Sequence, residues 1–181
     1  TSMEFERLIN AGGPTGGEVL RFTDHQVPDS VAFIQCVGSR SVRSGHRYCS
    51  NICCMNTIKS TIMLKEHYPD MDVKVFYIDI RAFGKGFEDL FQRSKQLGVR
   101  YIRGLPGTVQ EDAKTRDLVL MAENTATNKL EKHRAGMVVL ATGVKSPEDM
   151  NVIQEMMALQ KTADGFYLEA HPKLQPVDSA T

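Results

Sequence analysis

No cysteine occurs in this 181-residue chain outside the segment from Cys36 to Cys54, where all four of its thiols lie. A disulfide framework spread through the fold is therefore excluded. Neither charge sign is in excess: Lys and Arg number 22, and so do Asp and Glu, so nothing in the net charge points to nucleic acid or to an anionic membrane surface. Every apolar run is far too short to span a bilayer, and direct membrane insertion is not expected. No basic stretch followed by an apolar core opens the sequence, so nothing suggests secretion, and a cytoplasmic location is the expectation. In a reducing compartment four clustered thiols read as a metal or redox site rather than as structural cross-links.

What is present is ordinary globular material. Apolar residues make up 41% and charged residues 24%, enough for a real core in one domain, or in one domain and a small appendage. The first thirty residues are rich in Gly and Pro and read as an irregular arm, with one short helix over residues 4–10. The dense apolar run Val31-Ala32-Phe33-Ile34-Gln35-Cys36-Val37 predicts a buried strand. A Ser- and Gly-rich basic loop follows. The recurrence of Ile52, Met55, Ile58, Ile62 and Met63 then predicts a helix over residues 49–67, stopped by Pro69 and Asp70. VKVFYIDI (73–80) is a second strand. Phe87, Leu90, Phe91, Ser94 and Leu97 form one face of a second helix with Gly98 just past its end, and residues 99–102 form a third strand. Next comes a short antiparallel meander over residues 108–110, 118–123 and 129–133. A buried strand over 136–143, a helix over 147–159 and an extended tail complete the chain. The β-α-β-α-β order implies a parallel sheet, and the fold class expected is α/β, a Rossmann-like three-layer domain with an added antiparallel meander.

This order puts Cys36 at the carboxyl end of the first strand and Cys49, Cys53 and Cys54 at the start of the helix after it. In doubly wound folds ligands bind beyond the carboxyl ends of the strands. A helix N-terminus there favours thiolate over thiol. If the helix starts that early, Cys49 and Cys53 share a face, whereas Cys54 points about 100° away. A polynuclear cluster tolerates that divergence better than a single tetrahedral ion does. A [4Fe–4S] cluster accounts for four thiolates in one place and for the adjacent pair. Structural zinc normally shows two short Cys-x2–4-Cys pairs, a pattern this spacing does not match. A redox dithiol lacks its Cys-x-x-Cys, and a disulfide between neighbours in sequence needs a strained ring. Thiols packed as small hydrophobes are the remaining alternative. Arg40, Arg43, His46 and Arg47 in the intervening loop, with no acid among them, either support an anionic cluster or form a solvated basic loop.

A further absence matters. Where a nucleotide-binding fold would carry Gly-x-Gly-x-x-Gly, this chain reads Cys36-Val37-Gly38-Ser39-Arg40, and the fingerprint occurs nowhere else in it. Nicotinamide binding by this segment is therefore not expected, and Gly38 and Arg40 become candidate contacts for a different cofactor. The Ala141-Thr142-Gly143 turn permits close approach of another domain or of a cofactor, or simply ends a strand.

The strings FIQCVGSR, YCSNICCMNTIK, YIDIRAFGKGFEDLF, GVRYIRG, VVLATG and EAHPKLQPV, spread across nearly the whole chain, resemble the iron–sulfur flavoprotein A subunit of heterodisulfide reductases. The A subunit of the quinone-interacting membrane-bound oxidoreductase complex is equally similar. The resemblance implies an internal segment corresponding to the NAD(P)-type domain of a thioredoxin-reductase-like flavoprotein. It implies that Cys36, Cys49, Cys53 and Cys54 ligate one [4Fe–4S] cluster, with Gly38, Arg40, Ala141, Thr142 and Gly143 as cofactor contacts and FAD bound by the full-length protein. Residues 1–30 would cross over from the flavin domain, 31–160 would be the cluster-binding domain, and 161–181 would return toward the flavin. Implied partners are the flavin domain of the same chain and other heterodisulfide-reductase-type subunits, with room for a homodimer. The expected function is electron transfer between FAD and partner subunits within an oxidoreductase, the isolated segment being inactive. The alternative is a non-catalytic docking scaffold whose cysteines are structural, as zinc ligands or as thiols.

Overall fold

A computed structural model describes residues 1–171. The expected HPKLQP crossover falls almost wholly outside these residues. The chain divides into two compact units, Thr1–Val37 with Ser50–Thr142, and a second comprising Gly38–Cys49 with the segment from Gly143 onward.

The first unit opens with α1 (Ser2–Leu8), whose N-cap Thr1 forms a capping box with Glu4. It continues through β1 (Ser30–Val37), α2 (Cys53–His67), β2 (Asp72–Tyr77), α3 (Phe87–Gln96) and β3 (Arg100–Arg103). A meander of β4 (Pro106–Glu111), β5 (Leu118–Asn124) and β6 (Lys129–Ala135) follows, and β7 (Met137–Thr142) closes the unit. The strands β3-β2-β1-β7 form one sheet in that order, parallel at every step, and β4-β5-β6 form a separate antiparallel sheet. The α/β expectation of a parallel sheet plus an antiparallel meander holds.

Strand alternation explains the two core layers. Val31 and Phe33 of β1 point to the face covered by α1 and α2, where they join Phe5, Leu64, Val73 and Val75. Phe5 meets Phe33 edge to face, with ring centroids 5.3 Å apart. Ala32 and Ile34 point the other way and pack with Phe76, Leu120, Ala122 and Ala135, so the meander covers the second face. Both faces of β1 are thus dry, which is why its sequence reads as one apolar run. The "irregular" arm is better anchored than its composition suggests, because Phe5, Leu8 and Val19 are all buried.

Two of the boundaries that differ from the sequence expectation bear on the cysteines. The second strand ends at Tyr77, leaving Ile78, Asp79 and Ile80 beyond it. The helix expected from residue 49 begins only at Cys53, with Ile52 as N-cap. Asn51 takes a left-handed conformation (φ 62°), and the Ile52 N–H donates to the Ser50 carbonyl, so the chain turns sharply just before the helix. Helical spacing misled here because Ile52, counted as a buried position, is 61% exposed.

The second unit contains the loop of residues 38–49 and α4 (Met150–Met157). The loop folds back on itself: Arg40 N–H donates to the Tyr48 carbonyl and Ser41 N–H to that of His46, each at 3.0 Å. Tyr48 anchors it, its hydroxyl donating to the Val144 carbonyl at 2.9 Å and its ring meeting Phe166 edge to face. A Cβ on Gly143 would lie 2.7 Å from the Ser39 Cβ, so the glycine of the Ala-Thr-Gly turn is required by the loop beside it.

Candidate metal centre

The carboxyl edge of the parallel sheet departs from the regularity of its body. β1 and β7 stay in register to Ile34 and Leu140, but the next pair is Val37 and Thr142, so β1 carries one extra residue. This bulge holds Cys36 at φ 58°, a left-handed conformation that a non-glycine residue adopts at a cost of about 1–2 kcal/mol. A bulge at a strand end re-aims a side chain, and the one re-aimed here is a cysteine.

α2 brings two more sulfurs to the same edge. The Cys53 Sγ lies 3.6 Å from the carbonyl of Thr142, the last residue of β7. The Cys54 Sγ lies 3.9 Å from the carbonyl of Asp79, two residues past the end of β2. Cys36, Cys53 and Cys54 thus sit at the ends of β1, β7 and β2, which are adjacent in the sheet order β2-β1-β7. All are thiols; Cys54 is buried and the other two are half-buried. Ile52 contributes no capping side chain to the start of α2. The N–H groups of the first turn and the positive end of the helix dipole therefore favour negative charge on these sulfurs.

The Tyr101 hydroxyl shares a 2.7 Å hydrogen bond with Ser94, and burial pushes its pKa up. Hydrogen bonds from Ser94 and Thr61 offset part of that, and negative charge on Cys54 adds to it. Among the described residues no three His, Cys, Asp or Glu side chains converge closely enough to share a single metal ion.

Of the residues singled out from sequence, Cys36, Cys53, Cys54, Ala141 and Thr142 belong to this edge of the first unit. Gly38, Arg40, Cys49 and Gly143 belong to the second unit. Cys49 is a half-buried thiol at the end of the loop, not on α2, and so does not share a helix face with Cys53. Gly38 and Arg40 both adopt left-handed conformations, φ 75° and 53°. The Gly38 carbonyl accepts from Ser44 Oγ at 3.2 Å and lies 3.1 Å from His46 Nδ1. Arg43 and Arg47 are exposed, whereas Arg40 and His46 are half-buried.

Two residues were not picked out as functional from sequence. Gln35, beside Cys36, is completely buried, and neither atom of its amide has a hydrogen-bond partner. Thr57, one turn into α2, is buried with its hydroxyl in the same condition. The visible signal for Gln35 was a lone amide inside an apolar run.

No protein-family model matches the chain. Curated proteins do. An iron-sulfur A subunit of CoB–CoM heterodisulfide reductase from Methanopyrus kandleri is 47% identical over 181 residues, 99% of this chain and 28% of that protein. The A subunit of the H(2):CoB-CoM heterodisulfide,ferredoxin reductase of Methanothermobacter marburgensis is 46% identical over 182 residues, 100% of this chain and 28% of its own length. The iron-sulfur A subunit of the Methanocaldococcus jannaschii heterodisulfide reductase is 43% identical over 180 residues, covering 99% and 27%. Among solved structures, an ornithine N-hydroxylase of Kutzneria sp. 744 superposes on 78% of the chain and 42% of its own, with a TM-score of 0.45 and 11% identity. Identity above 40% across almost every residue makes the chain a relative of the heterodisulfide reductase A subunits, and it spans about 28% of the length of the first of them.

Proposed function

We propose that this chain is the cluster-bearing part of a heterodisulfide-reductase-like oxidoreductase. In this reading Cys36, Cys49, Cys53 and Cys54 are the ligands of one [4Fe–4S] cluster. The observation that carries it is the gathering of Cys36, Cys53 and Cys54 at the ends of three adjacent parallel strands, where a dinucleotide-binding domain would place its glycine-rich loop. Cys49, separated from Cys53 by three residues in sequence, completes the set. Relatives named as iron-sulfur subunits support the choice of cofactor.

The donor set suits such a group. Four thiols within nineteen residues, an uncapped helix start and a buried amide lacking a partner all fit an anionic, sulfur-rich ligand better than water. When bound, the cluster supplies one-electron transfer, with FAD of the full-length protein and partner subunits as its redox neighbours. The chain's own residues position and insulate. The bulge at Cys36 sets one ligand, the start of α2 sets two, and the dry faces of β1 keep water away from the edge behind them. Arg40, in the loop that ends in Cys49, is a candidate cluster contact in the same reading. Residues 1–30 and 161–181 serve as crossovers to the flavin-binding part, the assembly being cytoplasmic and composed of several subunits.

Anaerobic reconstitution followed by dithionite reduction tests this: a paramagnetic iron–sulfur signal is expected, and Cys53→Ser is expected to abolish or transform it. The same signal from the Cys53→Ser chain would contradict the ligand assignment. A second reading, a docking scaffold with structural cysteines, is favoured by the burial of Cys54 and by the lack of a compact three-ligand group among the described residues. Stoichiometric zinc, with melting unchanged on iron removal, would support it instead.

A further inference from the structure

The buried polar atoms without hydrogen-bond partners among the described residues fall on Gln35, Thr57 and His133. His133 is accounted for, because its Nε2 lies 3.1 Å from the Glu131 carboxylate. The remaining two flank the cysteines: Gln35 immediately precedes Cys36, and Thr57 lies one turn along α2 from Cys53 and Cys54. Gln35 is 0% exposed and leaves both its Nε2 and its Oε1 unsatisfied. Leaving an amide this way costs much of its hydration energy, and folded proteins rarely tolerate it without a ligand or a bound water.

Alternation along β1 gives the direction. Val31 and Phe33 lie on the face covered by α2, and alternation assigns Gln35, at the start of the bulge, to that same face. It therefore faces the helix whose first turn carries Cys53 and Cys54. An amide N–H held there, shielded from water, is a donor suited to an anionic sulfur.

Resting on the cluster reading above, we propose that Gln35 is a positioning residue that donates its amide N–H to a sulfur of the bound cluster or of its cysteine ligands, with the Thr57 hydroxyl as a weaker second donor. Hydrogen bonds to cluster sulfur stabilise the reduced, more negative state and raise the potential. The test is a redox titration of the reconstituted wild-type and Gln35→Leu chains, followed by electron paramagnetic resonance, with iron content measured in parallel. Gln35→Leu is expected to keep its iron and to weaken reduction about tenfold, which for one electron is a shift of about 59 mV to more negative potential. Thr57→Val should shift the same way by less. Should Gln35→Leu fail to fold, Gln35→Met approximates the volume and the unbranched shape while removing the donor, and it should shift in the same negative direction. An iron-replete Gln35 variant with the wild-type potential would overturn this inference while leaving the cluster reading intact. A wild-type chain that takes up no iron would overturn both.

Discussion

Along β1 the body and the end of one strand follow different rules. From Val31 to Ile34 the residues are apolar, buried on both faces and in unbroken register with β2 and β7. From Gln35 to Val37 the same strand buries an unsatisfied amide, puts a cysteine at positive φ and slips register by one residue. The body does what stabilises a sheet. The end accepts local costs that a purely structural strand would avoid, and such departures cluster where a protein handles ligands. Stability and chemistry are thus separated by two or three residues along one strand, and substitutions should separate them as well.

The largest expected effect is at the carboxyl edge: Cys54→Ser should remove most of the iron of the reconstituted chain, read by metal analysis, while circular dichroism still reports a folded α/β domain. The body should behave in the opposite way. Phe33→Ala removes a ring packed against Phe5 and should cost about 3–5 kcal/mol in denaturant unfolding, with little change in iron per folded chain. Equal iron loss from both variants would erase the distinction. Gly143→Ala drives a methyl against Ser39 and should cost roughly 1–3 kcal/mol, a smaller loss that tests whether the glycine serves the loop. The smallest effect concerns pH. Burial alone would raise the pKa of Asp72, at the start of β2, but hydrogen bonds and charge from Arg100 and Lys74 outweigh it and hold the carboxyl below its ordinary value. Its contribution is therefore complete above that ordinary value and is lost as pH falls through the lowered one. Asp72→Asn should flatten the acid side of the stability profile by less than about 1 kcal/mol and leave iron binding unmoved.

Much of this contrast was legible in the sequence. The apolar run of β1, the β-α-β-α-β order and the meander follow from periodicity and turn residues, and the structure has each of them. The position of Cys36 at a strand end was equally readable. The start of α2 was not, because Asn51 reverses the chain through a left-handed turn that hydrophobic spacing does not register. The buried face of α2 was readable only in part: Ile58 and Ile62 are buried as their spacing implies, but Thr57, Ser60 and Thr61 are buried with them, and small hydroxyl residues count as polar in any pattern. Thr61 offsets the cost by donating to the Ile58 carbonyl at 2.8 Å, which is a local backbone event. The role of Gly143 also lay beyond sequence, since its constraint comes from Ser39, about a hundred residues earlier.

Metal and acid-labile sulfide analysis of the anaerobically reconstituted chain bears most directly on the cysteine edge. About four irons and four sulfides per chain, with zinc near zero, are predicted for a cubane held by four thiolates. One zinc per chain, or iron far below that value in a folded protein, would contradict the account.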